Sequence, residues 1–391
     1  MGDNSCLTMF RPRRGCRHKL VCFILRSILY SSWALGIFPF TYASKKRRLR
    51  RSKWLLVYGI AFNTTLVVLM LRPHGGEEAP VAKDPKLDVF RRNFVLEQIS
   101  LILGVGGIIT ICAMYLRTFW RSRDLCRIYN QLLELQVKHF ADSAVECPTF
   151  DRYVIQKGLL IVGGVASTLV IHIGMPNESV SLVKLGSFLL AIHFHLGVAF
   201  IYRFVWLINL ELLDLANRLR IRPEAGSSAR VRLLLSLYSR LLELSARLTA
   251  CYDYQTAMMM TIFLGGNIIV SFYMIVYSVS LSQMSVFVML VMFPLALVNN
   301  FLDFWLSIAV CDLAERTGRQ TSMILKLFND MQTLDQELER SFSEFALFCS
   351  HRRLRLHHCG MFYVNFEMGF HMLVTSVLYL LFLVQFDYMN L

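Results

Sequence analysis

Gly360-Met-Phe-Tyr-Val-Asn365 opens the last stretch of the chain, which runs through apolar residues to Leu378-Tyr379, five more apolar residues and Gln385-Phe386, and closes at Leu391. From Asn365 to Phe386 it is long enough to cross a hydrocarbon layer of about 30 Å, which takes roughly 20 residues of helix. Gln385 is an amide in a largely apolar segment, an expensive place unless it faces a partner or water. Read as a helix, the segment has Asn365 as a capping side chain and Glu367 in its first turn, beside the positive helix end. Leu378, Phe382 and Gln385 then fall on one face, four and three residues apart.

The rest of the chain has the same character. Its 391 residues are 55% hydrophobic, 13% aromatic and only 17% charged, too apolar and too lightly charged for an ordinary soluble domain. Seven stretches are long enough to span a membrane, near 54–72, 94–116, 156–175, 183–210, 257–280, 283–310 and 365–386. An eighth apolar run, 20–42, reads as an interfacial or re-entrant helix, with an extra span or a signal peptide as alternatives. Arg26 interrupts it, the sequence near Ala43 is a poor cleavage site, and a dense basic cluster follows at once.

Basic residues set the orientation, since short loops rich in them stay cytoplasmic. Residues 1–53 hold 13 lysines and arginines, loops 117–157, 211–256 and 311–358 hold seven each, and 72–92 holds five beside four acids. So 34 of the 41 lie on one side, which predicts a cytosolic N-terminus and an extracellular C-terminus at 387–391. The net charge of +14 follows from this topology and from anionic lipid, so nucleic acid is not needed to explain it. All ten cysteines lie in or beside cytoplasmic regions, where thiols stay reduced. Asn177-Glu178-Ser179 is an acceptor sequon in a short outer loop and is the expected glycosylation site, whereas Asn63 lies inside the first span. In the long loops, Leu233 to Leu248 and Met323 to Phe345 alternate apolar and charged residues as amphipathic helices do, and read as extensions of the spans into the cytosol.

Gly360, Phe362, Val364, Asn365, Tyr379, Gln385 and Phe386 match the pattern by which the last span of insect gustatory receptors is identified, with Leu378 where that family has threonine. Ala34-Leu35-Gly36-Ile37-Phe38-Pro39-Phe40 resembles an element those receptors carry before their first span. The resemblance implies an all-α membrane protein of seven transmembrane helices with cytoplasmic helical extensions forming an anchor region. It further implies a ligand-gated, nonselective cation channel, built as a homo- or heterotetramer in the plasma membrane of taste-neuron dendrites, with a small-molecule tastant, membrane lipid and permeating cations as partners. Sugar-sensing members typically carry glutamate after the Thr-Tyr pair; Leu380 stands there, which favours bitter or other aversive compounds.

The resemblance places Phe382 and Gln385 in the pore. Around a fourfold axis, Phe382 would form an apolar constriction that gates by dewetting, Gln385 a ring of amides, and Leu378 the next layer of the same face. Asp387 adds, on our own reading, a ring of carboxylates favouring cations. The alternative is that Gln385 sits at the membrane surface, bonded to headgroups. His172, His193, His195 and Asn267 are expensive in lipid and should face the bundle interior, where Phe194, Phe272, Tyr273 and Tyr277 could complete a ligand pocket opening outward. Core packing is the competing reading for each aromatic. His193 and His195, two apart on a helix, point different ways and make no metal pair. No metal or cofactor is expected, and no nucleophile elbow, zinc-helix motif or phosphate loop supports an enzyme. Gly104, Gly106, Gly107 and Gly265-Gly266 read as helix-packing points. Asp151-Arg152-Tyr153 spells a triplet of G-protein-coupled receptors, but it precedes a span where theirs follows one. A transporter would show repeated halves, and none is evident.

Overall fold

A computed structural model of the chain describes residues 16–43, 48–71, 94–140, 146–174, 182–221, 227–277, 293–328 and 335–389, together with Phe287 and Val291. Asn177 lies outside the described residues. Among the described residues the helices are α1 (Cys16–Ala34), α2 (Lys53–Leu71), α3 (Phe94–Trp120), α4 (Ser122–His139), α5 (Pro148–Gly174), α6 (Leu182–Ile221), α7 (Ser227–Tyr277), α8 (Phe293–Lys326), α9 (Gln336–His351) and α10 (Phe366–Met389). Two antiparallel hairpins join them, β1 (Phe40–Ala43) with β2 (Arg48–Arg51) and β3 (His357–His358) with β4 (Phe362–Tyr363). The seven stretches read as spans overlap α2, α3, α5, α6, α7, α8 and α10.

Among the described residues three segments are long and apolar enough to cross a membrane: Ala191–Arg220, Pro294–Lys326 and Phe366–Phe386. They differ in position, because the first is 67% buried by its own chain and the last only 11%. So α6 is the centre of the bundle and α10 its periphery. Trp54 and Trp120, at ends of α2 and α3 that the basic-residue count places on the same side, are both largely exposed, as in interfacial aromatic belts.

At 40, 51 and 34 residues, α6, α7 and α8 exceed the ~20 residues a bilayer core requires, so each projects beyond it. The projections pack on one another and on α9. On α7, Val231, Leu234, Tyr238, Leu241, Ser245 and Leu248 are buried at steps of three and four, which is the stripe the sequence pattern predicts. Tyr238 meets Phe345 of α9 with ring centroids 5.6 Å apart, and Phe328 stacks on Phe342 at 3.7 Å. Asn209 of α6 is bonded on both ends of its amide to α8, donating to Thr317 O at 3.0 Å and accepting from Thr321 Oγ1 at 2.6 Å.

Several expectations are corrected. The apolar repeat from Met323 to Phe345 is split between α8, which ends at Lys326, and α9, which starts after the extended Asp335. The helix expected over 20–42 ends at Ala34. Gly36 then takes a left-handed turn (φ 66°), and residues 40–43 are a strand. A Cβ on Gly36 would lie 2.5 Å from Gly59 Cα, so the turn seats directly on α2. Asn63 Nδ2 donates to Leu35 O at 3.0 Å and to Gly59 O at 2.8 Å, tying the same turn down. The C-terminal residues 387–389 continue α10. Among the described residues, Gly106, Gly107 and Gly266 have no atom of another element within 4 Å of where a Cβ would sit, so none of these residues packs on them.

Candidate functional site

The last helix begins as its sequence dictates. β3 and β4 are joined by a tight turn in which Cys359 (φ 51°) and Gly360 (φ 69°) are left-handed, and Asn365 Oδ1 accepts the amide of Met368 at 2.9 Å as a helix cap. Beyond the cap, α10 has two faces. Leu383 is buried at 7% exposure against Phe272 of α7, itself at 1%, with Ile268, Leu380 and Val384 around them. The other face carries Leu378 at 61% and Phe382 at 59% exposure, with Gln385 also exposed. Among the described residues Phe382 stacks along its own helix, on Phe386 at 6.1 Å. Asp387 lies two residues beyond Gln385 on the same helix.

The residues grouped as a pocket are dispersed. Phe272 belongs to the seam between α7 and α10, about 14 Å of helix from Phe263 and still further from Tyr252, which packs on Phe194. Asn267 is half-buried on α7, Tyr273 and Tyr277 lie on the same helix, and His172 lies on α5. His193, Phe194 and His195 are buried on α6, and their neighbours are segments the basic-residue count assigns to the cytoplasmic side. His193 Nε2 lies 2.8 Å from Ser32 Oγ of α1, and its ring stacks on Phe38 at 5.3 Å. Phe194 packs on Tyr252 of α7 and His358 of β3, at 5.6 and 5.3 Å. His193 and Phe194 therefore join α6 to the N-terminal segment, to α7 and to the β3–β4 hairpin.

One polar site escaped the sequence reading. Lys157 of α5, counted there among loop cations, is buried, and its Nζ donates to Asp303 Oδ1 at 2.6 Å and Ser307 Oγ at 2.9 Å, both on α8. The Tyr153 hydroxyl, one turn before Lys157, is buried and makes no hydrogen bond among the described residues. The signal was present: opposite charges stand in the inner thirds of two expected spans, where each needs a partner.

Comparison with known proteins accounts for this arrangement. The model of the 7tm chemosensory receptor family matches residues 25–390. A protein named "Putative gustatory receptor 22d" from Drosophila melanogaster is 59% identical over 98% of this chain and all of its own length. From the same organism, "Gustatory receptor for bitter taste 22e" is 50% identical, again over 98% of this chain and all of its own. The chain belongs to the insect gustatory receptor family. Its fold is also that of the insect olfactory receptor OR5 from Machilis hrabei, solved with eugenol, with a TM-score of 0.63 over 95% of this chain and 100% of that one, at 13% identity.

In this gustatory receptor the hairpin before α10 holds a titratable group outside the spanning segments. His358 is fully buried, and burial lowers its pKa to about 4 from the ordinary 6.5, against a smaller upward push from Asp253, whose carboxylate lies 3.4 Å from Nδ1. Asp253 also accepts the Cys359 amide, and His357 is the neighbouring charge that opposes protonation. Because the folded pKa lies below the unfolded one, the neutral ring's contribution is complete above pH 6.5 and is lost as pH falls through 4. The difference is worth about 3 kcal/mol. We expect thermal stability of the purified receptor to drop between pH 6.5 and 4, and His358→Phe, which keeps a ring against Phe194, to flatten that profile. An unchanged slope in the variant would remove His358 from the account.

Proposed function

We propose that this gustatory receptor is a ligand-gated, nonselective cation channel for small-molecule tastants, assembled as a homo- or heterotetramer in the plasma membrane of taste-neuron dendrites, with its N-terminus in the cytosol and its C-terminus outside. The observation that carries the reading is the exposed face of α10. Leu378, Phe382 and Gln385 point away from the chain's own bundle, while Leu383 on the opposite face is packed on Phe272. Four such faces around an axis give an apolar constriction beside a ring of amides, with Asp387 at the mouth. Bitter or other aversive ligands are the better class, supported by Leu380 and by the relative named for bitter taste. We assign the tastant site to the helices that carry His172, Asn267, Tyr273 and Tyr277, α5 and α7, together with α6. Asn177 is assigned as the glycosylation site in the outer loop.

Whole-cell currents test the conduction path. In cells expressing the receptor alone and with partner receptors, under a panel of bitter compounds, Gln385→Ala and Asp387→Ala at matched surface expression should change relative cation permeability. Wild-type currents left untouched in selectivity and conductance by both substitutions would remove α10 from the pore.

A further inference from the structure

The arginines of the projecting helices are mostly neutralised. Arg218, Arg230, Arg232, Arg240, Arg247, Arg316, Arg319 and Arg340 each pair with an acid on their own or an adjacent helix. Arg352 and Arg353 depart from this pattern: among the described residues neither has an acid within ion-pair distance. They line a cleft of about 540 Å³ with Arg355 and His351, opposite Leu242 to Ala246 of α7. That volume is within the about 300–1,000 Å³ of small-molecule sites. The acid in the cleft, Glu243, is bonded to Arg247. Adjacent carbonyls at the negative end of α9 are also occupied, since Phe348 O accepts the Arg352 amide and Leu347 O accepts Ser350 Oγ. The cleft thus has a surplus of guanidinium groups, whose planar forks match phosphate oxygens two at a time.

We propose that this cleft binds a soluble, multiply phosphorylated anion, of the inositol-polyphosphate class, through Arg352, Arg353 and Arg355. That the anion is cytosolic rests on the topology proposed above. Leu242–Ala246 lie about 20 Å of helix before Ala257, where the membrane part of α7 is read to begin, too deep for a lipid headgroup held in the bilayer plane. The site also has a route to the last span. Leu354 is buried against Gly318 of α8, and Leu356 O accepts the Val364 amide at 3.1 Å, so the arginine segment is stitched to the hairpin that leads into α10. A bound anion would brace that segment against α7.

The test uses the purified full-length receptor in detergent, read by thermal unfolding, which is independent of any current. Inositol hexakisphosphate at constant ionic strength should raise the melting temperature saturably, by about 3 °C or more, because a ligand of the folded state alone stabilises it. Arg352→Gln/Arg353→Gln should abolish the rise and leave the baseline melting temperature and oligomeric size unchanged. If that pair fails to fold, Arg353→Lys, which keeps the charge and loses the fork, should raise the half-saturating concentration at least threefold. No rise, an equal rise with sulfate, or an equal rise in the variants overturns the proposal. So does a rise produced only by vesicles containing phosphoinositide, or a smaller oligomer in the variant without ligand, which would make the cleft a subunit interface.

Discussion

Lys157→Met should leave the receptor largely unfolded or retained inside the cell, because it strands the Asp303 carboxylate inside the bundle. The pair is buried on both sides, with side-chain exposures of 2% and 9%, and the Lys157 ammonium is also bonded to Ser307. Removing one partner of a buried pair costs about 3–5 kcal/mol, because the other charge remains without compensation. That is a hundredfold or more in the folded population. Removing both charges is a different experiment. Lys157→Met/Asp303→Leu replaces the pair by apolar side chains of similar size, which is often neutral or stabilising. We therefore expect the double variant to regain surface expression and a melting temperature near wild type, with a coupling of 2 kcal/mol or more between the two sites. Single and double variants that behave alike would mean the pair does not clamp α5 to α8.

Lys157 also marks the limit of what the sequence made legible. A basic-residue count treats it as a loop cation, and although the letters show two charges that each need a partner, they do not say that position 157 meets position 303. The glycines show the same limit. Gly106, Gly107 and Gly266 have the composition of packing points but no close neighbour among the described residues, while Gly59 and Gly163 have one: a Cβ on Gly59 would lie 2.1 Å from Gly36 O, and one on Gly163 2.6 Å from Asn299 Oδ1. Composition identifies where a close approach is possible; only the fold decides where it occurs. His193 and His195 are buried in the bundle. The partners of His193, Ser32 and Phe38, and that of Phe194, the His358 hairpin, come from segments that periodicity cannot place against α6. Local features were readable because their causes are local. The Asn365 cap, the buried stripe of α7 and the common face of Leu378, Phe382 and Gln385 each follow from spacing within one helix.

That common face yields the second large effect, and neighbouring residues on α10 separate it from folding. Leu383→Ala removes a side chain buried against Phe272 and should cost about 2–5 kcal/mol of stability, seen as lost surface expression or a lower melting temperature. Phe382→Ala, one residue away, removes a ring that is 59% exposed in the single chain and should change stability by no more than about 0.5 kcal/mol. Its effect should appear in current. If four Phe382 rings hold the closed pore dry, shortening all of them shifts the balance toward a hydrated, conducting state, and a shift of about 1.4 kcal/mol is already tenfold. We expect basal conductance without tastant to rise about tenfold or more at matched surface expression, with Phe382→Leu in between. The two substitutions test different links. Phe382→Ala unfolding the receptor as Leu383→Ala does would mean the face is structural. A stable Phe382→Ala receptor with unaltered basal and evoked current would place the constriction elsewhere on the conduction path.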